Sequence, residues 1–533
     1  MKPILQWHKP RGLPPSTARD LGGLATKSSA PRVLITRLAL GMACLSARAA
    51  DTDWPQFRGP HASGIAEVSA APTVWDAETG TNVLWRAPVP GLAHSSPIVW
   101  GDRIYVTTVV KPGKAELKVG LYGDIDSVLE QEPHQWRLLA FDKASGRELW
   151  NTLAHEGIPR QRRHTKASQC NSTPATDGQR VVALFGSEGL FCFDLDGRLL
   201  WRRDLGPMDA GPYTGPAEQW GFGSSPIIHQ GAVIVQCDVL SGPFLAKLEL
   251  QDGREIWRVP RREVATWSTP TVVTAGDRTQ IVVNGWHTIG SYDFATGRSV
   301  WWLSGGGDAP IPTPVAAHGL VYLTSAHGRW RPMRAVRLDA AGDVTPPEIE
   351  LTNAAVVWVH PRQGNYLQTP IVVGELLYGC TDYGLVTCFE ARTGKIHYCE
   401  RLKGRSQGFT ASPVAADGKV YFTGELGDVF VLRASRDFEV LACNRLNELC
   451  LATPALSAGR LFFRTREHLV AIGASPLQGS PGQGPDRTPR DGTMRLRGDP
   501  DKYHDGELPL RTSRRRLKIE RKQAHRAYAG SGS

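Results

Sequence analysis

Eight times the chain sets Ser or Thr before Pro and follows the pair with a short apolar run. The marks are Ser96-Pro97, Thr173-Pro174, Ser225-Pro226, Thr269-Pro270, Thr313-Pro314, Thr369-Pro370, Ser412-Pro413 and Thr453-Pro454, spaced by 77, 52, 44, 44, 56, 43 and 41 residues. Each run leads through a turn to a second. The fuller copies add a third run, a Gly-Arg or Gly-Lys turn, and a fourth run carrying Trp. Val, Ile, Leu and Phe dominate the runs, and Asp-Gly pairs at Asp177, Asp196, Asp252 and Asp417 suit tight hairpins that need positive φ. No 3.6-residue apolar period survives between the Gly and Pro marks, which excludes a helical repeat. A period in the forties with four short strands per unit predicts an all-β chain folded as an eight-bladed β-propeller.

The two ends of the patterned region complement each other. The segment Asn82–Arg86 carries Trp85 in the setting of Trp150, Trp201, Trp257 and Trp301, yet has no first three strands of its own. The final unit runs from Thr453 to Ile472 and stops one strand short. The N-terminal segment is therefore expected to supply the fourth strand of the last blade and remove the open edges of the ring. The opening DWPQFRGPHASG reads as an extended stretch packed on the propeller. Blade 1 carries an insertion between its second and third strands, roughly 111–135, and the ragged fifth unit is expected to close at Trp358.

The domain reading is a leader with signal peptide over 1–50, the propeller over 51–475, and a basic tail over 476–533. Residues 1–50 hold 8 basic residues against 1 acid and the tail 13 against 7, so the body holds 41 against 44 despite a whole-chain charge of +10. The basicity belongs to the ends, and no nucleic-acid partner is expected of the body. Arg32 and Arg37, the apolar core Leu38–Leu45 and the small residues Ala47 to Ala49 follow the pattern of a secretory signal. That core is too short to span a bilayer. The expected location is secreted or periplasmic.

Chemistry is sparsely written. The nine cysteines include no Cys-x-x-Cys-His, which excludes covalent c-type haem, and no Cys-x-x-Cys pair that suggests zinc. Cys388 and Cys399 flank the turn at Thr393-Gly394, where neighbouring strands could set them opposite each other; free buried thiols are the plainer expectation. The histidines stand at no metal-ligand spacing, and no nucleophile elbow or Walker loop is present. No catalytic or metal residue is assigned. The residues three and four before each Pro should ring one mouth of the channel. They give His94, Asn171, Phe222, Trp267, Tyr366 and Phe409 as candidate ligand contacts, with Thr410, Cys170 and Cys450 in the same columns.

The copies GSYDFATGRSVW, LAFDKASGRELW and AKLELQDGREIW resemble the pyrroloquinoline-quinone (PQQ)-type propeller repeat, and WPQFRGP and GFGSSPII resemble secreted PQQ-like propeller proteins of bacteria. The resemblance covers about residues 54–472 and implies the propeller fold. The family holds both quinoprotein dehydrogenases and a non-enzymatic lipoprotein that assembles outer-membrane β-barrels. Its enzymes stack the quinone between a Trp and a disulfide of adjacent cysteines beside a bound calcium. Trp267 could imitate the stacking Trp, but the chain has no adjacent Cys-Cys and no mapped calcium-ligand set. The expectation is a secreted, monomeric binding or assembly scaffold with a protein or cell-envelope partner and no cofactor. A dehydrogenase of alcohols or sugars using PQQ and calcium, and a carbohydrate-binding propeller, are the alternatives.

Overall fold

The computed structural model describes residues 53–474 apart from 68–69, 122–126, 213–214, 216–217 and 328–329. The signal-peptide and tail readings, Cys44, and the unit Leu477–Ser533 lie outside the described residues. Eight blade sheets follow one another along the chain, seven of four antiparallel strands and one of five, and a two-stranded sheet pairs Ser127–Val128 with Arg163–His164. Each blade begins with a short strand just after its Ser/Thr-Pro mark, such as Ile98–Trp100 in blade 1 or Ile371–Val373 in blade 6. The second and third strands are the core. In blade 3, Ala232–Cys237 is buried throughout and Phe244–Glu249 nearly so, whereas the outer strand Glu255–Pro260 is mostly exposed. That gradient explains why the inner runs are continuously apolar and the fourth alternates. Helix is confined, among the described residues, to the 3-10 turns Pro60–Ala62 and Gly186–Glu188.

The last blade is closed as its sequence requires. Val83–Pro88 pairs antiparallel with His468–Ile472 and completes the sheet begun by Ala455–Ser457 and Arg460–Arg464. The insertion in blade 1 lies between Arg103–Val110 and His134–Asp142. Trp358 stands in the fourth strand of blade 5, Val356–His360.

Two repeated contacts join the blades. In the first, the outer-strand Trp of one blade lies on the Gly turn of the next and donates its indole N–H to a carbonyl there. Trp150 reaches Leu195 O at 3.0 Å, Trp201 Leu250 O at 2.9 Å, and Trp358 Ala391 O at 2.9 Å. Gly253 shows why the turn needs glycine: its φ is 71°, and an added Cβ would stand 2.7 Å from the Trp201 ring. Trp301 is the exception. Blade 5 has a long connection in place of the tight turn, and its short strand Gly342–Asp343 pairs parallel with Trp301 and Trp302 as the fifth strand of blade 4.

The second contact runs around the channel. Six of the eight Ser/Thr-Pro hydroxyls accept a hydrogen bond from the backbone of the preceding blade, while the Thr313 hydroxyl is buried without a partner. Ser96 N–H donates to Thr173 Oγ1 at 2.9 Å, Thr173 N–H to Ser225 Oγ at 2.9 Å, and Ser225 N–H to Thr269 Oγ1 at 3.0 Å. Thr313, Thr369 and Ser412 repeat the pattern toward Thr369, Ser412 and Thr453, each at 3.0 Å. A hydroxyl at this position satisfies a buried amide that no ladder reaches.

The cysteines differ from one expectation. The register sets Cys388 opposite Tyr398 and Cys399 opposite Thr387, one residue short of opposition, so the two side chains fall on opposite faces of the sheet. The two thiols therefore do not face each other, and all eight described cysteines are free.

Candidate functional site

The chain entering each blade is extended, so alternate side chains point to the channel and to the core between blades. The residues three before each Pro, His94, Asn171, Gly223, Trp267, Ile311, Leu367, Thr410 and Leu451, all line one cavity at the channel mouth. Seven of the eight Ser/Thr marks, two residues further on, share that face. The cavity measures about 180 Å³. Of the residues four before Pro, only Tyr366 lines it. Phe222 and Phe409, placed at the mouth by the sequence reading, instead pack in the core, as do Cys170 and Cys450. They stand one step out of phase with the channel-facing column.

The floor comes from the N-terminal segment. Trp54 bridges to Val99, Thr176 N–H donates to Pro55 O, and Ala66 and Gly64 pair with Ala415, so the segment crosses from blades 1 and 2 to blade 7. Phe57 thereby enters the cavity lining. Beside it Arg58 is fully buried, donating to Pro413 O at 2.8 Å, Pro370 O at 2.9 Å, Ala62 O at 3.2 Å and Ser63 O at 3.1 Å. Desolvation pulls its pKa down to about 9, so the guanidinium stays charged at neutral pH and is held by carbonyl dipoles.

The rim is aromatic, and most of its polar groups are engaged within the protein, whereas the buried Trp220 indole N–H has no hydrogen-bond partner. Trp220 stacks on Trp267 at 5.5 Å and 26°, and the Trp267 indole N–H donates to Gly221 O at 2.7 Å. The Asn171 amide donates to Phe222 O at 2.9 Å and accepts from Ser168 N–H and Oγ–H. Lys166 forms a buried pair with Glu425 at 2.6 Å, and Glu425 also accepts from the Thr410 hydroxyl at 2.6 Å and from Gly120 N–H at 2.6 Å. Burial drives His94 down to about 3, leaving a neutral ring in contact with Lys166 O at 3.0 Å. Trp220, Lys166, His164 and Phe57 were not signalled by the repeat, because they come from irregular connections that carry no period.

This lining was tested against the quinone and calcium that the family's enzymes hold. Calcium needs several oxygen ligands, normally with carboxylates. No carboxylate lines the cavity, and the described residues contain no group of three or more His, Cys, Asp and Glu able to hold a metal. Trp220 covers one face of Trp267, and Cys170 and Cys450 belong to different core clusters. The donor set does not fit that centre.

A family model described as outer membrane protein assembly factor BamB matches residues 65–235. Similar solved structures include quinohemoprotein alcohol dehydrogenase from Comamonas testosteroni, at 11% identity over 82% of this chain and 83% of that one, TM-score 0.53. The alcohol dehydrogenase ADHIIG from Pseudomonas putida HK5 matches at 11% identity over 82% of each chain, TM-score 0.51. BamB from Moraxella catarrhalis matches at 14% identity over 68% of this chain and 98% of that one, TM-score 0.46. No curated protein matches the chain in sequence. The protein is an eight-bladed β-propeller, similar over residues 65–235 to the BamB family model and in fold to the quinohemoprotein alcohol dehydrogenases.

Proposed function

We propose that this propeller is a non-enzymatic binding and assembly scaffold of the cell envelope, holding a protein partner at the funnel mouth. The observation that carries the reading is the state of the mouth's polar groups. Glu425 is engaged by Lys166, Thr410 and Gly120, and Asn171 is bonded on both sides of its amide. General acid–base or metal chemistry needs a poised group or an open coordination position, and this lining supplies neither. An aromatic rim around a shallow funnel is instead a good anchor for side chains of another protein. The match to the BamB family model supports a protein partner. Among the described residues no helix is long and apolar enough to cross a membrane, which accords with an exported propeller.

A photo-crosslinking amino acid in place of Tyr366 at the mouth, compared with one at Asp277 in blade 4's first turn, tests this in cells. A discrete crosslinked partner from the mouth position alone is the expected result. Reconstitution with PQQ and calcium should give no bound-quinone spectrum and no dye reduction with alcohols or sugars. Stoichiometric quinone binding with substrate-dependent turnover overturns the scaffold reading. N-terminal sequencing of protein from a periplasmic extract should place the mature end within a residue or two of Ala50, and retained Met1 would refute export by this signal.

A further inference from the structure

The funnel narrows to a ring of hydroxyl hydrogens that the protein does not use. Thr173, Ser225, Thr269, Thr369, Ser412 and Thr453 each accept a backbone N–H from the preceding blade, and each lines the cavity. Among the described residues none of the six donates its own hydrogen to a protein acceptor. Ser96 lines the same ring, and its hydroxyl makes no bond to the described residues. A hydroxyl whose oxygen already accepts offers its hydrogen to whatever occupies the cavity.

The charge beneath this ring is positive. Arg58 donates to Pro413 O at 2.8 Å and Pro370 O at 2.9 Å, the carbonyls next in the chain after Ser412 and Thr369. It is fully buried and, among the described residues, pairs with no carboxylate. Carbonyl dipoles hold a guanidinium in place without cancelling its charge, and burial leaves its field little screened. Arg464 is a second buried guanidinium, with Nε and Nη2 unpaired. Together with Arg163 and Arg466 it disfavours a charged ring at His94 in the cavity wall. No carboxylate lines the cavity, and Glu425 on its rim is neutralised by Lys166.

We infer that the funnel takes the C-terminal carboxylate of a polypeptide, the end of the partner that the scaffold reading puts there; the inference rests on that reading. The ring of donors and the buried cations select an anion. The shape selects a chain end. The cavity measures about 180 Å³ and is floored by the N-terminal segment, whose Phe57 enters the lining, so no chain threads through it. An internal loop has to bring its chain in and out again, whereas a terminus enters once. Trp267, Tyr366, Ile311, Leu367 and Leu451 supply an apolar wall for the last side chain. Capture of a terminal carboxylate by converging donors is an established mode of peptide recognition.

The test is calorimetric titration of the full chain with acetylated Ala-Ala-Ala-Ala-Phe and Ala-Ala-Ala-Ala-Leu, each as free acid and as C-terminal amide. At least one acid should bind with a Kd below about 1 mM, and about tenfold or more tighter than its amide. Ser96→Ala removes a donor without orphaning an amide, and should weaken the acid about threefold or more. Thr313→Val alters the one mark that does not line the cavity, and should leave the acid's affinity unchanged. Phenylacetate, a small acid without a peptide chain, should bind about tenfold or more weaker than the better peptide acid. Failure of both acids to bind at about 1 mM overturns the assignment, as do equal affinities for acid and amide or indifference to Ser96→Ala. Phenylacetate binding as tightly as the peptide also overturns it, and marks a small-molecule site. A partner crosslinked through Tyr366 alongside any of these results leaves the scaffold reading standing and removes the chain-end assignment alone.

Discussion

The Trp85 indole lies on Gly146, with its N–H donating to Lys143 O at 3.2 Å. This joins the N-terminal strand of blade 8 to the turn between the last two strands of blade 1, so the ring closes by the same contact that joins blades 1 to 2, 2 to 3, 3 to 4 and 5 to 6. Trp85→Ala should cost about 3 kcal/mol, the low end for loss of a large aromatic in a packed site. Gly146→Ala should be comparably damaging, since φ is 73° and the new Cβ would stand 2.5 Å from the Trp85 ring. Deleting residues 51–88 should abolish cooperative melting. A truncated protein that melts as sharply and at the same temperature would contradict the closure.

The hydroxyl circuit predicts opposite outcomes for two chemically identical substitutions. Thr173 accepts the buried amide of Ser96, so Thr173→Val should destabilise by about 1–3 kcal/mol, the penalty of an orphaned donor. The Thr313 hydroxyl is buried without a partner, so Thr313→Val should be neutral or stabilising. Chemical denaturation of the two variants decides it, and equal losses would show that the circuit carries no weight.

Acid should weaken the anchor of the blade 1 insertion. Burial alone would raise the Glu130 carboxyl, but the nearby His134 ring at 3.4 Å and two hydrogen bonds from Arg163 outweigh it and hold the group down at about 2. A depressed carboxylate stabilises fully above its unfolded value near 4.5 and loses that contribution as pH falls through its folded value. The loss should therefore run from about pH 5 to pH 2 and amount to roughly 3 kcal/mol. Glu130→Gln should flatten the acid limb of the stability profile. A variant with an unchanged acid limb would show that other carboxylates dominate.

Thiol labelling should separate two classes. Cys399 and Cys443 are exposed, whereas the other six described cysteines are buried. Burial pushes the thiols of Cys170, Cys192 and Cys450 up to about 12, which suppresses the reactive thiolate. Native protein spanning 51–475 should react rapidly at two positions and at all eight only after unfolding. Fewer than eight in denaturant without reductant would reveal a disulfide.

The architecture was legible because its signals are periodic: the Ser/Thr-Pro marks, the closing tryptophans and the missing strand each state a relation between distant residues. The residues three before each Pro line the mouth, whereas of those four before it Tyr366 alone does. The phase of an extended strand start is a matter of a single residue, and His94 and Trp267 differ from Phe222 and Phe409 by that one step. Lys166 and Trp220 lie on connections whose course is set by neighbouring blades. Nothing local in their sequence marks them as a site.

The strand Val83–Pro88 must wait for its partner. Arg86 and its salt-bridge partner Glu448 stand 362 positions apart, so almost the whole ring is synthesised before blade 8 can be completed. Contacts this distant in the chain are slow to form, and an unpaired strand held open for that time is exposed to mispairing. The propeller therefore stays unlatched until the strand His468–Ile472 has been made. The same latch places both ends of the propeller in one sheet. Proteolysis from either end must therefore strip a strand from a finished blade before it can advance.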